Sequence, residues 1–225
     1  MHPLTVINGD IKASRKMRRM ERYEWQLFLK SSIVQLNEQY SDEIDVPFMI
    51  TKGDEFQGVL KHLADVNKII CKFEQLTYPL QVRFGVGYGN IQKMGSQITI
   101  EMDGPAFHRA SKALNIAKQK KRVVWFNTAA QEFDLTVNTI YLLIFAIKKK
   151  WSKRSFNRYW KYKEFGTYER VAQAEGVTPQ AVWDSLRNAH ATEVIEAEQM
   201  LERIFRKRDQ DMQLVTNVDK FDSLV

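Results

Sequence analysis

Apolar and polar positions alternate with two different periods along this chain, and the switches between them outline its elements. Leu4–Ile7 is a short apolar strand that ends at Asn8-Gly9-Asp10. From Lys16 to Tyr40 the period lengthens to that of an amphipathic helix, with Met17, Met20, Tyr23, Trp25, Leu27, Phe28, Ile33 and Leu36 as its expected core stripe. Phe48–Thr51 and Phe56–Leu60 predict two strands around Lys52-Gly53-Asp54-Glu55, with glycine at the turn. A second helix covers Leu63–Leu76 and is closed by Tyr78-Pro79. Gln81–Tyr88 alternates like a strand, Asp103-Gly104-Pro105 opens a third helix that runs to about Lys118, and Val123–Phe126 is a last strand.

The order strand, helix, hairpin, helix, strand, helix, strand predicts an α+β domain over residues 1–133. A ferredoxin-like or palm arrangement fits it, with an antiparallel sheet and helices packed on one face. Beyond Phe133 the pattern becomes all-helical. Thr136–Lys150 is an apolar helix ending in Lys148-Lys149-Lys150, which suits the negative end of a helix dipole. Residues 134–163 are expected to be connecting basic helices, 164–206 a helix-turn-helix domain and 207–225 a flexible tail without periodicity.

The segment Thr167–Leu186 carries the local signals of two short helices meeting at a tight turn. Thr167 is an N-cap, Gly176 permits the left-handed residue that ends a helix, and Thr178-Pro179 is a second N-cap followed by proline at the first helical position. Val171, Ala172, Val182 and Leu186 fall where the two helices would pack. The segment resembles the helix-turn-helix of sigma-factor-like and response-regulator output domains. That resemblance implies DNA binding, with Gln180, Trp183, Asp184, Arg187 and Asn188 on the outward face of the second helix. Gln, Arg and Asn make two-pronged contacts to base edges, and the cations of Lys148–Lys163 would meet phosphates. A module used only for dimerisation has the same local pattern.

Composition narrows the picture. With 225 residues, 44% hydrophobic and 27% charged, the chain is long enough for one large domain or two modest ones. Its net charge of +7 favours an anionic partner such as nucleic acid or nucleotide. One cysteine, Cys71, excludes an internal disulfide framework and sits at helical spacing among Ile69, Ile70 and Phe73 as a core residue. No signal peptide is visible, and the apolar run Ile140–Ile147 is far shorter than the roughly 18–20 residues of a membrane span. A cytoplasmic protein is expected, with no membrane partner.

The candidate chemistry lies at the strand ends. Asp10 closes the first strand and Asp54 sits at the turn of the hairpin, so the proposed sheet would bring two carboxylates together as a seat for Mg²⁺ or Mn²⁺. Each aspartate taken alone also suits a turn or helix cap. Gly85, Gly87 and Gly89 are expected to relieve crowding in a strand, because no strand-to-helix junction follows them as a phosphate loop requires.

Asn8-Gly9-Asp10-Ile11, Thr51–Phe56, Arg83–Gly89 and Asp103–Ala110 together resemble the class III nucleotidyl cyclases. The resemblance implies metal ligation by Asp10, Asp54 and the backbone carbonyl of Ile11. Lys52, Gly53, Glu55 and Arg83 are the candidate nucleotide-binding residues around that seat. The Gly-Asp-Glu-Phe turn is also similar to that of diguanylate cyclases, with Lys52 in place of their first glycine. The base-reading lysine of ATP-using cyclases falls on Ile50, and the asparagine and arginine that steady the transition state fall on His108 and Lys112, the candidate catalytic pair.

Across nearly the whole chain, Ile7–Ile11, Gly53–Gly58, Arg83–Gly87 and Asp103–Phe107 resemble the SatD family. The reading that follows is a DNA-binding regulator whose cyclase-like domain binds a nucleotide and metal, as a homodimer. The alternative is a metal-dependent cyclase-like enzyme that uses its helical module for tethering or dimerisation.

Overall fold

Strand β1 (Leu4–Ile11) lies between two antiparallel neighbours and is almost wholly buried. The computed structural model describes residues 3–12, 19–93 and 98–222. After β1 come helix α1 (Arg19–Gln39) and the hairpin of β2 (Ile44–Lys52) and β3 (Glu55–Leu60). Helix α2 (Val66–Thr77), β4 (Val82–Gly89), the short pair β5 (Gln92–Lys93) and β6 (Met102–Asp103), α3 (Pro105–Gln119) and β7 (Val124–Asn127) follow. The remaining helices are α4 (Gln131–Lys148), α5 (Lys153–Phe165), α6 (Tyr168–Glu175), α7 (Pro179–Asn188) and α8 (Ala191–Asp222). The predicted order of elements is thus present in a mixed α+β structure. Lys16 and Met17 lie outside the described residues. The stretch expected to be a flexible tail from 207 continues α8 to Asp222.

The chain divides into two compact units, Met1–Thr139 with Leu201–Val225, and Ile140–Met200. In the first, five strands form a sheet in the order β2-β3-β1-β4-β7. Two sequence expectations need correcting. The sheet is mixed, because β7 runs parallel to β4; a strand reached through a crossover helix returns in the same direction. Helices also cover both faces. Along β1, Val6, Asn8 and Asp10 face α3, while Ile7, Gly9 and Ile11 face α1 and α2.

The α1/α2 face is built from stacked rings. Phe56 and Phe73 stack at 4.6 Å, and Phe84 lies 5.8 Å from Phe73. Leu29, Ile33 and Leu36 of α1 are buried and Cys71 of α2 is in the core. The first turns of α1 differ from expectation: Met20, Tyr23 and Leu27 are 74%, 60% and 51% exposed. At 3.6 residues per turn they fall on the side of the helix opposite the buried stripe of Leu29, Ile33 and Leu36.

The opposite face depends on a close backbone approach. A Cβ at Gly85 would stand 2.2 Å from the backbone nitrogen of Leu114, and one at Gly87 would stand 2.2 Å from the carbonyl oxygen of Ala106. These glycines let α3 lie directly on β4, as their expected role in relieving crowding implies.

Both edges of the sheet are protected alike. Asn37 of α1 bonds both the N–H and the C=O of Phe48 on β2, and Asn138 of α4 does the same to Phe126 on β7. Each side chain mimics one residue of a further strand and blocks edge pairing. Strand β2 is longer than predicted because Pro47, tolerated on an edge strand, coincides with a register shift between Val46 and Met49. The end of α8 completes this unit: Phe205 stacks on Phe126 at 5.3 Å, and Asp209 accepts the N–H groups of Leu63 and Ala64 at 3.2 and 2.8 Å.

In the second unit, Thr167 and Thr178 accept the backbone N–H groups of Arg170 and Ala181, and Gly176 is left-handed with φ 65°. Val171, Ala172, Val182 and Leu186 are buried between α6 and α7. Its centre is a buried charge cluster. Glu198 binds Lys148 at 3.0 Å, Lys163 at 2.8 Å and the Tyr159 hydroxyl at 2.6 Å. Burial pushes the Glu198 carboxyl up, but the two lysines and the hydrogen bonds override it and hold its pKa at about 2. Among the described residues no helix is long and apolar enough to cross a membrane.

The contact between α3 and β4 yields a direct expectation. Gly85→Ala places a methyl group against helix backbone that cannot rotate away, and should cost about 1–3 kcal/mol of stability in urea unfolding. A change under about 0.5 kcal/mol, the size of a neutral surface substitution, would show that the helix can lift without loss.

Candidate active site

The predicted carboxylates meet at one end of the sheet. In the strand register Asp10 stands opposite Glu55 on β3 and opposite Arg83 on β4. Asp54 belongs to the two-residue turn Gly53-Asp54, where Gly53 is left-handed with φ 65°. The turn is fastened to α1 by Gln26, which donates to the Gly53 carbonyl at 3.3 Å. Lys52, at the end of β2, is exposed and stands opposite Glu55. Ile11 follows Asp10 as the last residue of β1 and is 2% exposed, so its main chain lies beside the carboxylate while its side chain is core.

Asp10 is 7% exposed. Its Oδ2 faces two cations, the ammonium of Lys118 at 3.2 Å and the guanidinium of Arg83 at 3.7 Å. Its Oδ1 is buried with no hydrogen-bond partner among the described residues. Burial pushes the Asp10 carboxyl above the ordinary carboxylate range; Lys118 and Arg83 pull it back, and the charge of Asp54 pushes it further up. A buried carboxylate with one oxygen orphaned is costly, and in native structures such a group is accounted for by local strain, a catalytic role, a water or an ion. The orphaned oxygen and the Asp54 carboxylate, near enough for its charge to act on Asp10, are of the hard-oxygen chemistry that suits a divalent cation.

Lys118 was not among the residues singled out from the sequence. It also bonds Glu55, at 2.7 Å from Nζ to Oε1, and so links two strands to α3. Burial works against its charge, but the Glu55 hydrogen bond and the attraction of Asp10 hold its pKa above the ordinary lysine value. Its signal was its spacing: 110, 114 and 118 recur every four residues on the helix stripe that meets β4. A polar ladder leads away from the same place. Gln57 donates to Asn8 at 2.7 Å, and Asn8 donates to Ser111 of α3 at 3.1 Å.

The candidate catalytic pair is elsewhere. His108 is exposed near the start of α3, where its Nε2 lies 3.1 Å from Asp103. Lys112 is exposed in the middle of the helix. Ten residues of helix, roughly 15 Å, separate His108 from Lys118, so within one chain His108 does not reach Asp10. Among the described residues no group of three or more His, Cys, Asp and Glu side chains forms a metal-holding cluster. Glu55, a candidate nucleotide-binding residue, is paired with Lys118.

In the helical unit, Gln180, Asp184, Arg187 and Asn188 are exposed on α7 and Trp183 is half-buried. Gln180 donates to Asp184 at 3.2 Å, and the Arg187 guanidinium lies over the Trp183 ring at 4.8 Å. Part of the cationic charge of Lys148–Lys163 is paired within the unit, while Lys149 and Lys150 are exposed. Lys148 and Lys163 are held by Glu198, and Arg158 and Lys161 by Glu175, which accepts at 2.7 and 3.1 Å. Lys153 and Arg154 remain exposed.

Comparison with known proteins places the chain. A family model matches residues 4–215, most of its length. The chain belongs to the SatD family. No curated protein matches it. Among solved structures it is similar to a bacterial light-regulated adenylyl cyclase at TM-score 0.41 and 17% identity, over 56% of this chain and 43% of that one. It is also similar to the active GGEEF domain of a diguanylate cyclase from Vibrio cholerae (TM-score 0.39, 19% identity, 55% of this chain and 81% of that one). A third is the monomeric guanylyl cyclase domain of a RhoGC fusion protein from the aquatic fungus Blastocladiella emersonii (TM-score 0.37, 15% identity, 51% and 75%). The chain thus spans less than half the length of the light-regulated cyclase.

The electrostatics of Asp10 predict an unusual mutant. Because its folded-state pKa is raised, its ionised form is penalised in the fold. That penalty is complete above the raised value and disappears as pH falls below the ordinary 3.8. Asp10→Asn should therefore match or exceed the parent protein in urea stability at pH 7, with any gain fading in acid. A loss above about 1 kcal/mol would instead make the carboxylate a structural strut for Lys118.

Proposed function

We propose that the α+β unit of this SatD-family protein binds a nucleoside triphosphate with a divalent cation at the Asp10–Asp54 end of its sheet, in the manner of a nucleotidyl cyclase-like enzyme. The observation that carries the reading is the buried Asp10 carboxylate, orphaned at Oδ1 and set beside a hairpin turn that presents Asp54. Asp10, Asp54 and the main chain of Ile11 would hold the cation, which when bound supplies charge neutralisation and polarisation of phosphate oxygens. Arg83 and Lys52 add positive charge beside the seat, and the Gly53 turn lets phosphate approach the backbone. His108 lies too far along α3 to serve the same chain's seat, and Lys112 is exposed one turn further on. A homodimer, which the cyclase resemblance implies, would present them to the seat of a second copy.

Calorimetric titration with ATP, GTP and cyclic nucleotides, with and without Mg²⁺ or Mn²⁺, tests this reading. Metal-dependent binding should occur and be lost in Asp10→Asn and Asp54→Asn. Chromatography of the incubated nucleotides then decides between turnover and binding alone. Absence of binding to any of them would end the proposal.

A second reading attaches to the helical unit. The exposed Gln180, Asp184, Arg187 and Asn188 on a capped α7, with Lys153 and Arg154 exposed on α5, support DNA binding by this unit. Fluorescence anisotropy with duplex DNA should show affinity falling steeply with salt, at a log–log slope of about −0.9 per phosphate contact. Arg187→Ala should weaken it. Binding that is absent, or insensitive to salt, would leave α6 and α7 a protein-interaction module.

A further inference from the structure

The Asp10 seat already contains a cation of its own, held on a flexible arm. Lys118 spans the two carboxylates of adjacent strands, 3.2 Å from Asp10 Oδ2 and 2.7 Å from Glu55 Oε1. Arg83 is farther from Asp10, at 3.7 Å, and rises from β4 inside the sheet. The two cations differ in what they can do. A guanidinium is a rigid fork, whereas an ammonium is a point charge on a four-carbon stem with several rotatable bonds. The Lys118 side chain is 30% exposed, so it has a route to solvent that the 10%-exposed Asp10 side chain lacks.

We propose that Lys118 is a tethered counter-ion that occupies the Asp10 seat and competes with a divalent cation for it. The inference rests on the reading of Asp10 and Asp54 as a cation seat and adds the residue that regulates its occupancy. Lys118 saturates Oδ2 and leaves Oδ1 orphaned, so it neutralises the carboxylate without completing its coordination. It also diverts Glu55, whose carboxylate would otherwise give the seat a third acidic side chain. Departure of one ammonium therefore frees two carboxylates together and removes a positive charge from contact distance of the incoming ion. The metal and the lysine cannot both hold Asp10 and Glu55. Lys118 thus sets a threshold of metal or metal-nucleotide concentration below which the seat stays closed.

The test is Mn²⁺ binding to the full chain at pH 7, followed by the electron paramagnetic resonance signal of free Mn²⁺, with no nucleotide present. Lys118→Met and Lys118→Gln should each bind Mn²⁺ at least about tenfold more tightly than the parent protein, as expected when a like charge is removed from contact distance. The gain should vanish when Asp10→Asn is added. Lys118→Gln keeps a hydrogen-bond donor toward Glu55, which guards against loss of fold in the methionine variant. A second measurement needs no variant: amine-reactive labelling of Lys118 in the parent protein, read by mass spectrometry, should rise several-fold on Mn²⁺ addition. Equal Mn²⁺ affinity in the parent and both Lys118 variants, with binding still lost in Asp10→Asn, would overturn the counter-ion role and leave the seat standing. Weaker binding by the Lys118 variants, or labelling that Mn²⁺ does not change, would likewise overturn it. No Mn²⁺ binding by any form would remove the seat and the inference together.

Discussion

Helix α3 can take only one position against β4, because Gly85 and Gly87 remove the side chains that would hold the two backbones apart. Where a Cβ would stand 2.2 Å from helix backbone, the contact is main chain on main chain, and neither partner has a rotamer to change. That constraint fixes the height and rotation of α3 along its length. It sets Ser111 within 3.1 Å of Asn8 and Lys118 within 3.2 Å of Asp10. The charged end of the sheet therefore follows from two glycines that carry no chemistry. The ring stack of Phe56, Phe73 and Phe84 holds the other face, so the sheet has one aromatic side and one side that becomes polar toward Asp10.

Two buried carboxylates in this chain meet their surroundings in opposite ways, and the contrast separates structure from function. Glu198 has both oxygens engaged by the Tyr159 hydroxyl and is paired with two lysines; its pKa lies at about 2. Its charge is welcome in the fold, so it stabilises the helical unit above the ordinary glutamate range, and that contribution is lost as pH falls from about 4.5 toward 2. Asp10 also faces two cations, yet burial wins and its pKa is raised. The difference lies in what offsets burial: at Glu198 two lysines and the Tyr159 hydroxyl override it, whereas at Asp10 Lys118 and Arg83 do not, and the like charge of Asp54 adds a smaller push upward. A group that folding alone had to satisfy would resemble Glu198. Asp10 is left partly unsatisfied, with its Oδ1 buried and without a hydrogen-bond partner among the described residues.

Much of the architecture was legible before any coordinates. The order of elements through β7 follows from periodicity, and the hairpin at Gly53-Asp54 from turn chemistry. The crowded role of Gly85 and Gly87 was legible because no helix starts after them. Three features escaped, each for a physical reason. Helices on both faces were hidden because β1 and β4 are buried on both sides, so Asn8 and Asp10 read as an interruption rather than as a second face. The edge strand β2 was shortened by Pro47, whose missing N–H costs nothing on an edge. Lys118 was invisible because a lysine in the last turn of a helix already has an explanation in the helix dipole. Its pairing with Asp10 depends on a contact 108 residues away in sequence, fixed by glycines rather than by anything near the lysine.

The seat has a fixed half and an adjustable half, and the division follows from which backbone carries each group. Asp10 and Arg83 project from strands paired on both sides, so they cannot shift without breaking ladder hydrogen bonds. Asp54 stands on a turn whose backbone is tied to α1 by Gln26. Lys118 is the reverse case, an ammonium at the end of a flexible stem on a rigidly placed Cα. Asp10 and Arg83 therefore stay in place while the Lys118 ammonium can adjust around them. The polar ladder from Gln57 through Asn8 to Ser111 continues from Asp10 along the same face, and the Asn8 amide is held from β3 and α3 at once. Charge at this end of the sheet can therefore be rearranged through the Lys118 side chain without breaking the strand pairing that holds Asp10 and Arg83.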